Sequence, residues 1–110
     1  MQWLLQLRLV EPDWLRQGMP DEISQLVGEH FAYWQSLTRQ GIAFVVGRTQ
    51  DEDPIGLAIF HADSAEAADA VVRADPAVGP VFIYTVRPYA IALRPDADTM
   101  AAQWGHGIPE

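Results

Sequence analysis

The chain has 110 residues and no cysteine, and its 15 acidic and 7 basic side chains give a formal charge of -8 at pH 7. Hydrophobic residues make up 49% of it, enough for the core of one small domain. The negative charge argues against a nucleic-acid partner, and the lack of cysteine excludes disulfides and thiolate chemistry.

The first residues of the chain and its longest apolar runs indicate where in the cell the protein is expected. The first residues lack the cationic segment and long apolar core of a signal peptide, and no apolar run reaches membrane-spanning length. We therefore expect a cytoplasmic protein without a membrane partner.

The first predicted element is a strand over residues 3–10, where Trp3, Leu5 and Leu7 alternate with Leu4, Gln6 and Arg8. Both sides of this strand are largely apolar. We expect helices on one face and, on the other, a second sheet from a partner chain. Residues 11–19 include proline and glycine and are predicted to form an ordered loop.

A long helix is predicted over residues 21–40. Its start is marked by Pro20 and two acidic residues, and Gly41 supplies the left-handed stop. One apolar stripe runs along it at helical spacing: Ile23, Leu26, Val27, His30, Trp34 and Leu37. His30 therefore faces the interior, where an imidazole needs a polar partner.

The middle of the chain predicts an antiparallel strand pair over residues 42–49 and 55–62, joined by an acidic turn too short for a parallel crossover. Asp63 and Glu66 have the spacing of a capping box, so a second helix is expected to follow to about residue 74. Pro76 ends that helix and leaves Asp75 at the mouth of the structure.

The last predicted strand covers residues 81–87, with Pro88 as a break before a short extension over residues 89–93. Residues 94–110 form a polar, helix-poor tail, in which Met100 and Trp104 are isolated anchors and residues 105–110 are mobile. We therefore divide the chain into a domain at residues 1–93 and a tail at residues 94–110.

The predicted order βαββαβ is that of the α+β ferredoxin-like fold, a four-stranded antiparallel sheet with both helices on one face. The second face of this sheet remains apolar. A small chain buries such a face most simply by pairing with a second copy, so we expect a homodimer in the form of a dimeric α/β barrel.

Several short motifs occur in a specific order: the stretch His30-Phe-Ala-Tyr-Trp, the turn at residues 40–42, the strands ending at Gly47 and Phe60, residues 64–68, Asp75-Pro76 and Pro88-Tyr89. In these the chain resembles the YciI family of dimeric α/β-barrel proteins, over residues 3–93. The resemblance implies an active site built on a His-Asp pair, His30 and Asp75. It also implies small-molecule chemistry, as in a dehydrochlorinase of chlorinated aromatics and in muconolactone-isomerase-like proteins. The family often has Gly-Pro where this chain has Gly47-Arg48, which bears on the shape of the substrate pocket.

A carboxylate bonded to one imidazole nitrogen fixes the tautomer, so the other nitrogen can take a proton from a substrate. We therefore expect a cofactor-independent lyase or isomerase for a small cyclic or aromatic oxygenated compound, with His30 as base and acid and Asp75 holding it. Tyr33, Trp34 and Phe60 are candidate walls of an aromatic pocket. Arg8 is a candidate anchor for an acidic substrate, although for it, as for Arg87, an ion pair across a subunit interface is the favoured interpretation.

Three alternatives stay open at this point. His30 and Asp75 could be a purely structural pair. The protein could be a non-catalytic dimeric module that binds a small molecule, or, by fold analogy alone, a haem-binding or oxygen-using enzyme.

The other histidines carry weaker signals. His61 closes the third predicted strand, where histidines usually lie at the surface or cap a helix. His30, His61 and Asp75 are metal-ligand types without diagnostic spacing, so we expect no metal and no cofactor. No function is predicted for His106.

Overall fold

The computed structural model describes residues 1–105 and residue 107. Within that range the order of elements is as predicted, βαββαβ, with two further short helices. The elements are β1 (Gln2–Leu9), α1 (Trp14–Gln17), α2 (Asp21–Arg39), β2 (Ala43–Arg48), β3 (Gly56–His61), α3 (Ala65–Arg73), β4 (Phe82–Tyr89) and α4 (Ala97–Trp104). The α+β class and the ferredoxin-like topology are thereby confirmed.

The four strands form one antiparallel sheet in the order β2-β3-β1-β4. Leu5 lies opposite Ala58 on one side and Val86 on the other, so these side chains share a face. Leu4, one residue earlier, lies opposite Ile59 and points to the other face. The alternation in the sequence of β1 therefore separates two faces, as predicted.

The core lies between the sheet and the two longer helices. Trp3, Leu5 and Leu7 are buried on the face that α2 and α3 cover. The helices contribute buried side chains that meet this face: Trp34, Leu37, Ala68 and Val72. Small residues on α3, such as Ala68, allow this helix to pack closely on the sheet. Both helices lie on this one side of the sheet.

Local residues determine where the helices end, and one of the predicted helix caps is wrong. Gly41 adopts a φ of 76° just after α2, which is the predicted left-handed stop. The cap of α3, however, is Ser64, whose hydroxyl accepts the amide N–H of Ala67 at 3.0 Å. Asp63 stands one residue too early and is instead within 3.4 Å of His61.

Two further corrections concern the end of the chain. Pro88 does not break β4, which continues to Tyr89. Because β4 is an edge strand, a residue without an amide N–H costs no ladder hydrogen bond there. The tail, predicted to be poor in helix, contains α4, which begins where the Asp96 carboxylate accepts the amide N–H of Thr99 at 2.8 Å.

The predicted loop at residues 11–19 contains the single turn α1. Of the segment predicted to be mobile, residues 106 and 108–110, including His106, lie outside the described residues.

The face of the sheet away from the helices carries apolar side chains that remain accessible in the single chain. Ile83 is 58% exposed and Leu57 is 37% exposed. Across residues 1–105 and 107, no helix combines the length and apolarity that crossing a bilayer requires. The cytoplasmic location and the division of the chain at residue 93 stay predictions.

Candidate active site

The structure brings together His30 and Asp75, which are 45 positions apart in the chain. His30 lies in the middle of α2, where helical spacing turns it toward the sheet. Asp75 follows the last turn of α3, and its amide N–H is bonded to the carbonyl oxygen of Val72 at 3.1 Å. The Nδ1 atom of His30 is hydrogen-bonded to the Oδ2 atom of Asp75. The two side chains thus join α2 to the end of α3.

Asp75 is buried, with 1% of its surface exposed, and its carboxylate has three hydrogen-bonded partners. The indole N–H of Trp34 donates to Oδ2 at 2.9 Å, and the amide N–H of Ala77 donates to Oδ1 at 2.9 Å. His30 is the third partner. The expectation that Asp75 lies at the mouth of the structure is therefore wrong, because the turn after α3 folds this residue beneath α2.

These contacts determine the ionisation of Asp75. Burial by itself raises the pKa of a carboxyl group. Here the hydrogen bonds from His30, Ala77 and Trp34, together with the charge of His30, outweigh burial and lower the pKa of Asp75 below its ordinary value of 3.8. The carboxylate is therefore ionised near neutral pH, although it is enclosed by protein.

An ionised carboxylate only accepts hydrogen bonds, so Nδ1 of His30 must carry the proton between them. In the neutral ring the lone pair then lies on Nε2, which is the nitrogen left for a bound molecule. The His30 side chain is 18% exposed, and the ring of Phe82 packs against it at a centroid distance of 4.9 Å. The arrangement is that of an oriented imidazole base.

His30 borders a cavity of about 540 Å³ between α2, β2 and α4. Five of the lining residues follow one stripe of α2, and the described lining residues include no Asp, Glu, Lys or Arg. The lining consists of His30, Phe31, Trp34, Gln35, Thr38, Phe44, Val45, Val46, Pro95, Met100, Trp104, Gly105 and Gly107. This volume is within the range typical of small-molecule sites, roughly 300–1,000 Å³.

Of the predicted pocket aromatics, only Trp34 lines the cavity. Tyr33 packs edge-on against Trp34 at 5.6 Å, and its hydroxyl donates to the carbonyl oxygen of Val71. Burial, and secondarily the negative charge of Asp75, raises the pKa of Tyr33. Phe60 is 1% exposed and packs against the other side of Trp34 at 5.7 Å. Tyr33 and Phe60 therefore hold Trp34 in place and do not line the cavity themselves.

Two other candidates lie elsewhere in the chain. Arg8 is on the outward face of the sheet and pairs with Asp53 at 3.0 Å, so the chain does not bring it to His30. His61 contacts the N-terminal amine at 3.1 Å and lies 3.4 Å from Asp63. Within residues 1–105 and 107, no group of three His, Cys, Asp or Glu side chains could hold a metal ion.

The sequence pattern does not predict most of the cavity lining. Phe31 stands beside the apolar stripe of α2, so helical periodicity gives no signal for it. Phe44 lies at an irregular point of β2, where the register against β3 shifts between Ala43 and Val45. Met100 and Trp104 were interpreted as isolated, yet four-residue spacing after Asp96, a residue type that caps helices, indicates one face of a helix.

The comparison with protein families gives one match. The model of the YCII-related domain matches residues 5–90. No curated protein matches this sequence significantly. The matched range contains His30 and Asp75, whereas α4 lies wholly beyond it.

Proposed function

The chain belongs to the YCII-related family, and from its His-Asp pair we propose that it is a cofactor-independent lyase or isomerase acting on a small cyclic or aromatic oxygenated compound. The observation that carries this proposal is the position of His30. One ring nitrogen is bonded to a buried, ionised carboxylate, and the same ring borders a cavity of about 540 Å³. An imidazole oriented in this way is suited to moving a proton.

In the proposed reaction, Nε2 of His30 removes a proton from a substrate carbon next to a carbonyl group. The C–H bond breaks, its electron pair enters the substrate π system, and the imidazole becomes a cation that the Asp75 carboxylate stabilises. In an isomerase the proton returns to another carbon. In a lyase a leaving group on the adjacent carbon departs with its bonding electrons, and the imidazolium gives its proton to that group. Such proton transfer typically contributes about 10²–10⁴-fold to rate.

The surroundings of the pair support this role. Trp34 supplies a second donor to Asp75 and, with 2% of its surface exposed, closes the cavity on its buried side. A ligand bound against the apolar lining would displace water from it, which strengthens the interaction between the imidazolium and the carboxylate. Tyr33 and Phe60 act indirectly, through their contacts with Trp34, and Arg8 is left out of the proposed site.

The proposal is tested by hydrogen exchange at carbon. The full chain is incubated in D₂O with a panel of cyclic ketones, lactones and phenols, and loss of C–H signals is followed by proton NMR. We expect exchange of at least one compound, and a roughly 10²–10⁴-fold slower rate in His30→Gln, which retains an N–H donor for Asp75. The matched control is His61→Gln, an exposed histidine remote from the cavity, and it should exchange at the wild-type rate.

Two outcomes count against catalysis. Equal exchange by the wild type and His30→Gln would show that His30 is not the base. Compounds that bind in the cavity without any exchange or turnover would favour the second candidate function, a non-catalytic binding module. That candidate draws its support from the mainly apolar lining of the cavity.

We further propose that two chains pair through the outward faces of their sheets. Ile83 and Leu57 lie exposed on this face, and Leu4 and Ile59 lie beside them. Burying such a face stabilises the dimer by about 25 cal/mol for each Å² of apolar surface that is removed from water. Light scattering at micromolar concentration should give a dimer mass, and Ile83→Asp a monomer. Leu15→Asp, which alters a residue on α1 that is 49% exposed, should remain a dimer; a monomeric wild type contradicts the proposal.

A further inference from the structure

We infer that α4 selects the ligand of the cavity, through an outer wall formed by Pro95, Met100 and Trp104. The ligand class that this wall admits is a neutral, planar, mainly apolar compound with one hydrogen-bonding oxygen. The inference rests on the proposed function, because it names the substrate class of the same site. It concerns residues that the family match does not include.

The outer wall lies opposite the catalytic pair. His30 and Trp34 contribute the α2 side of the cavity, which we call the inner wall, whereas Met100 and Trp104 contribute the α4 side. Because Met100 and Trp104 are four residues apart in a helix, both side chains project from the same face. Both therefore face the same cavity as His30, across the space that a ligand would occupy.

Contacts within the tail hold this wall in position. The Arg94 guanidinium lies 5.9 Å from the centre of the Phe44 ring, which ties the start of the tail to β2. Asp96 then caps α4 through the amide N–H of Thr99. The helix thus begins immediately beyond a fixed point on the edge strand of the sheet. These two contacts determine where α4 begins.

The outer wall offers apolar surface that the described residues leave exposed. Trp104 is 77% exposed, and no residue of α4 is buried. A tryptophan left this open beside a cavity gains most from a ligand that covers its ring. A flat, apolar molecule between Trp104 and the inner wall would cover the Trp104 ring and lie against the partly exposed ring of His30.

The charge of the cavity narrows the ligand class. None of the lining residues that the structure describes carries a fixed charge, so a charged ligand would lose its hydration without gaining an ion pair. The formal charge of -8 on the chain adds repulsion against anions. Nε2 of His30 can still accept a hydrogen bond from a hydroxyl group. A neutral phenol or enol meets all of these conditions.

The test is calorimetric titration of the full chain with 2-naphthol, and with 2-naphthoate as the charged analogue. We expect 2-naphthol to bind, and 2-naphthoate to bind at least tenfold more weakly. Trp104→Ala should weaken 2-naphthol binding roughly five- to tenfold, and Trp104→Phe less, because the phenyl ring still stacks. The matched control is Leu93→Ala, an apolar residue just before the tail that is 93% exposed and outside the lining, and it should bind as the wild type does.

Each result decides a separate point. Equal binding of 2-naphthol by the wild type and Trp104→Ala, or no binding by either, would overturn the role of α4. Tighter binding of 2-naphthoate would overturn the ligand class. Neither result changes the exchange experiment on His30→Gln. Conversely, unchanged hydrogen exchange in His30→Gln would contradict the catalytic proposal. Weaker 2-naphthol binding by Trp104→Ala would still support the role of α4 in binding.

Discussion

Trp34 and Trp104 line opposite sides of one cavity, and the structure holds them in different ways. Trp34 is 2% exposed, packs against two aromatic rings and donates its indole N–H to Asp75. Trp104 is 77% exposed, at the end of an eight-residue helix without a buried residue. The comparison separates two tasks: the inner wall must keep a base in a fixed geometry, whereas the outer wall needs only to present a surface.

This difference has an energetic consequence. Changes at the inner wall should affect the whole fold, because Asp75 connects α2, α3 and the turn before β4. Changes at the outer wall should affect binding and leave global unfolding nearly unchanged, because α4 buries little surface. The predictions below test this separation, in order of decreasing effect on stability.

Asp75→Ala is expected to have the largest effect. It removes the acceptor of three hydrogen bonds and leaves the indole N–H of Trp34 and the amide N–H of Ala77 buried without partners. Breaking a buried charged pair in this way typically costs about 3–5 kcal/mol of unfolding free energy. Urea denaturation measures this loss of unfolding free energy. Glu29→Ala, an exposed acidic residue on α2, is the control and should unfold near the wild-type midpoint; equal midpoints for the two variants would contradict the central place of Asp75.

Trp34→Phe should have the next largest effect. It retains a ring in the core but removes the donor to a charged oxygen, a loss worth about 1.5–3 kcal/mol. Trp104→Phe is the matched change at the outer wall, and it should alter unfolding free energy by less than about 0.5 kcal/mol. Similar destabilisation in both variants would show that the two walls are held equally.

At acid pH we expect a smaller change in unfolding free energy, and its sign follows from the pKa of Asp75. Because the pKa of Asp75 is lowered in the folded protein, its ionised form stabilises the fold fully above its unfolded pKa, close to 3.8. That stabilisation is lost as the pH falls from there through the lower folded pKa. The difference in unfolding free energy between wild type and Asp75→Asn should therefore shrink below about pH 4. A difference that stays constant across this range would contradict the assigned pKa shift.

Asp96→Ala should have the smallest effect on global stability. Losing the cap of α4 should fray that helix alone, because no other element depends on its packing. Hydrogen exchange would show faster exchange for amides in residues 97–104 and unchanged exchange in α2. Faster exchange in both helices would mean that α4 supports the core.

The same comparison explains which parts of the molecule the sequence could predict. The strands, α2 and α3 carry regular apolar periodicity, so their order, and from it the fold class, could be predicted. The meeting of His30 and Asp75 was implied by the family resemblance. The burial of Asp75 was not predictable from its local sequence, because a residue before proline usually indicates an exposed turn. Only the packing of the turn beneath α2 decides that.

The remaining site residues illustrate two further limits. An aromatic residue on an apolar stripe indicates core packing, so the hydrogen bond from Trp34 to Asp75 left no sequence signal of its own. Helix α4 did leave a signal, in the spacing of Asp96, Met100 and Trp104. The alanine-rich composition around them gives no strong apolar stripe, so this spacing alone does not predict a helix.

The most direct test of the account is the protonation of the two nitrogens of His30, followed by nitrogen-15 NMR while 2-naphthol is added. We expect Nδ1 to carry a proton in its bond with Asp75, and the Nε2 resonance to shift as 2-naphthol binds. A proton on Nε2 in the neutral ring, or an Nε2 resonance that does not respond to 2-naphthol bound in the cavity, would contradict it.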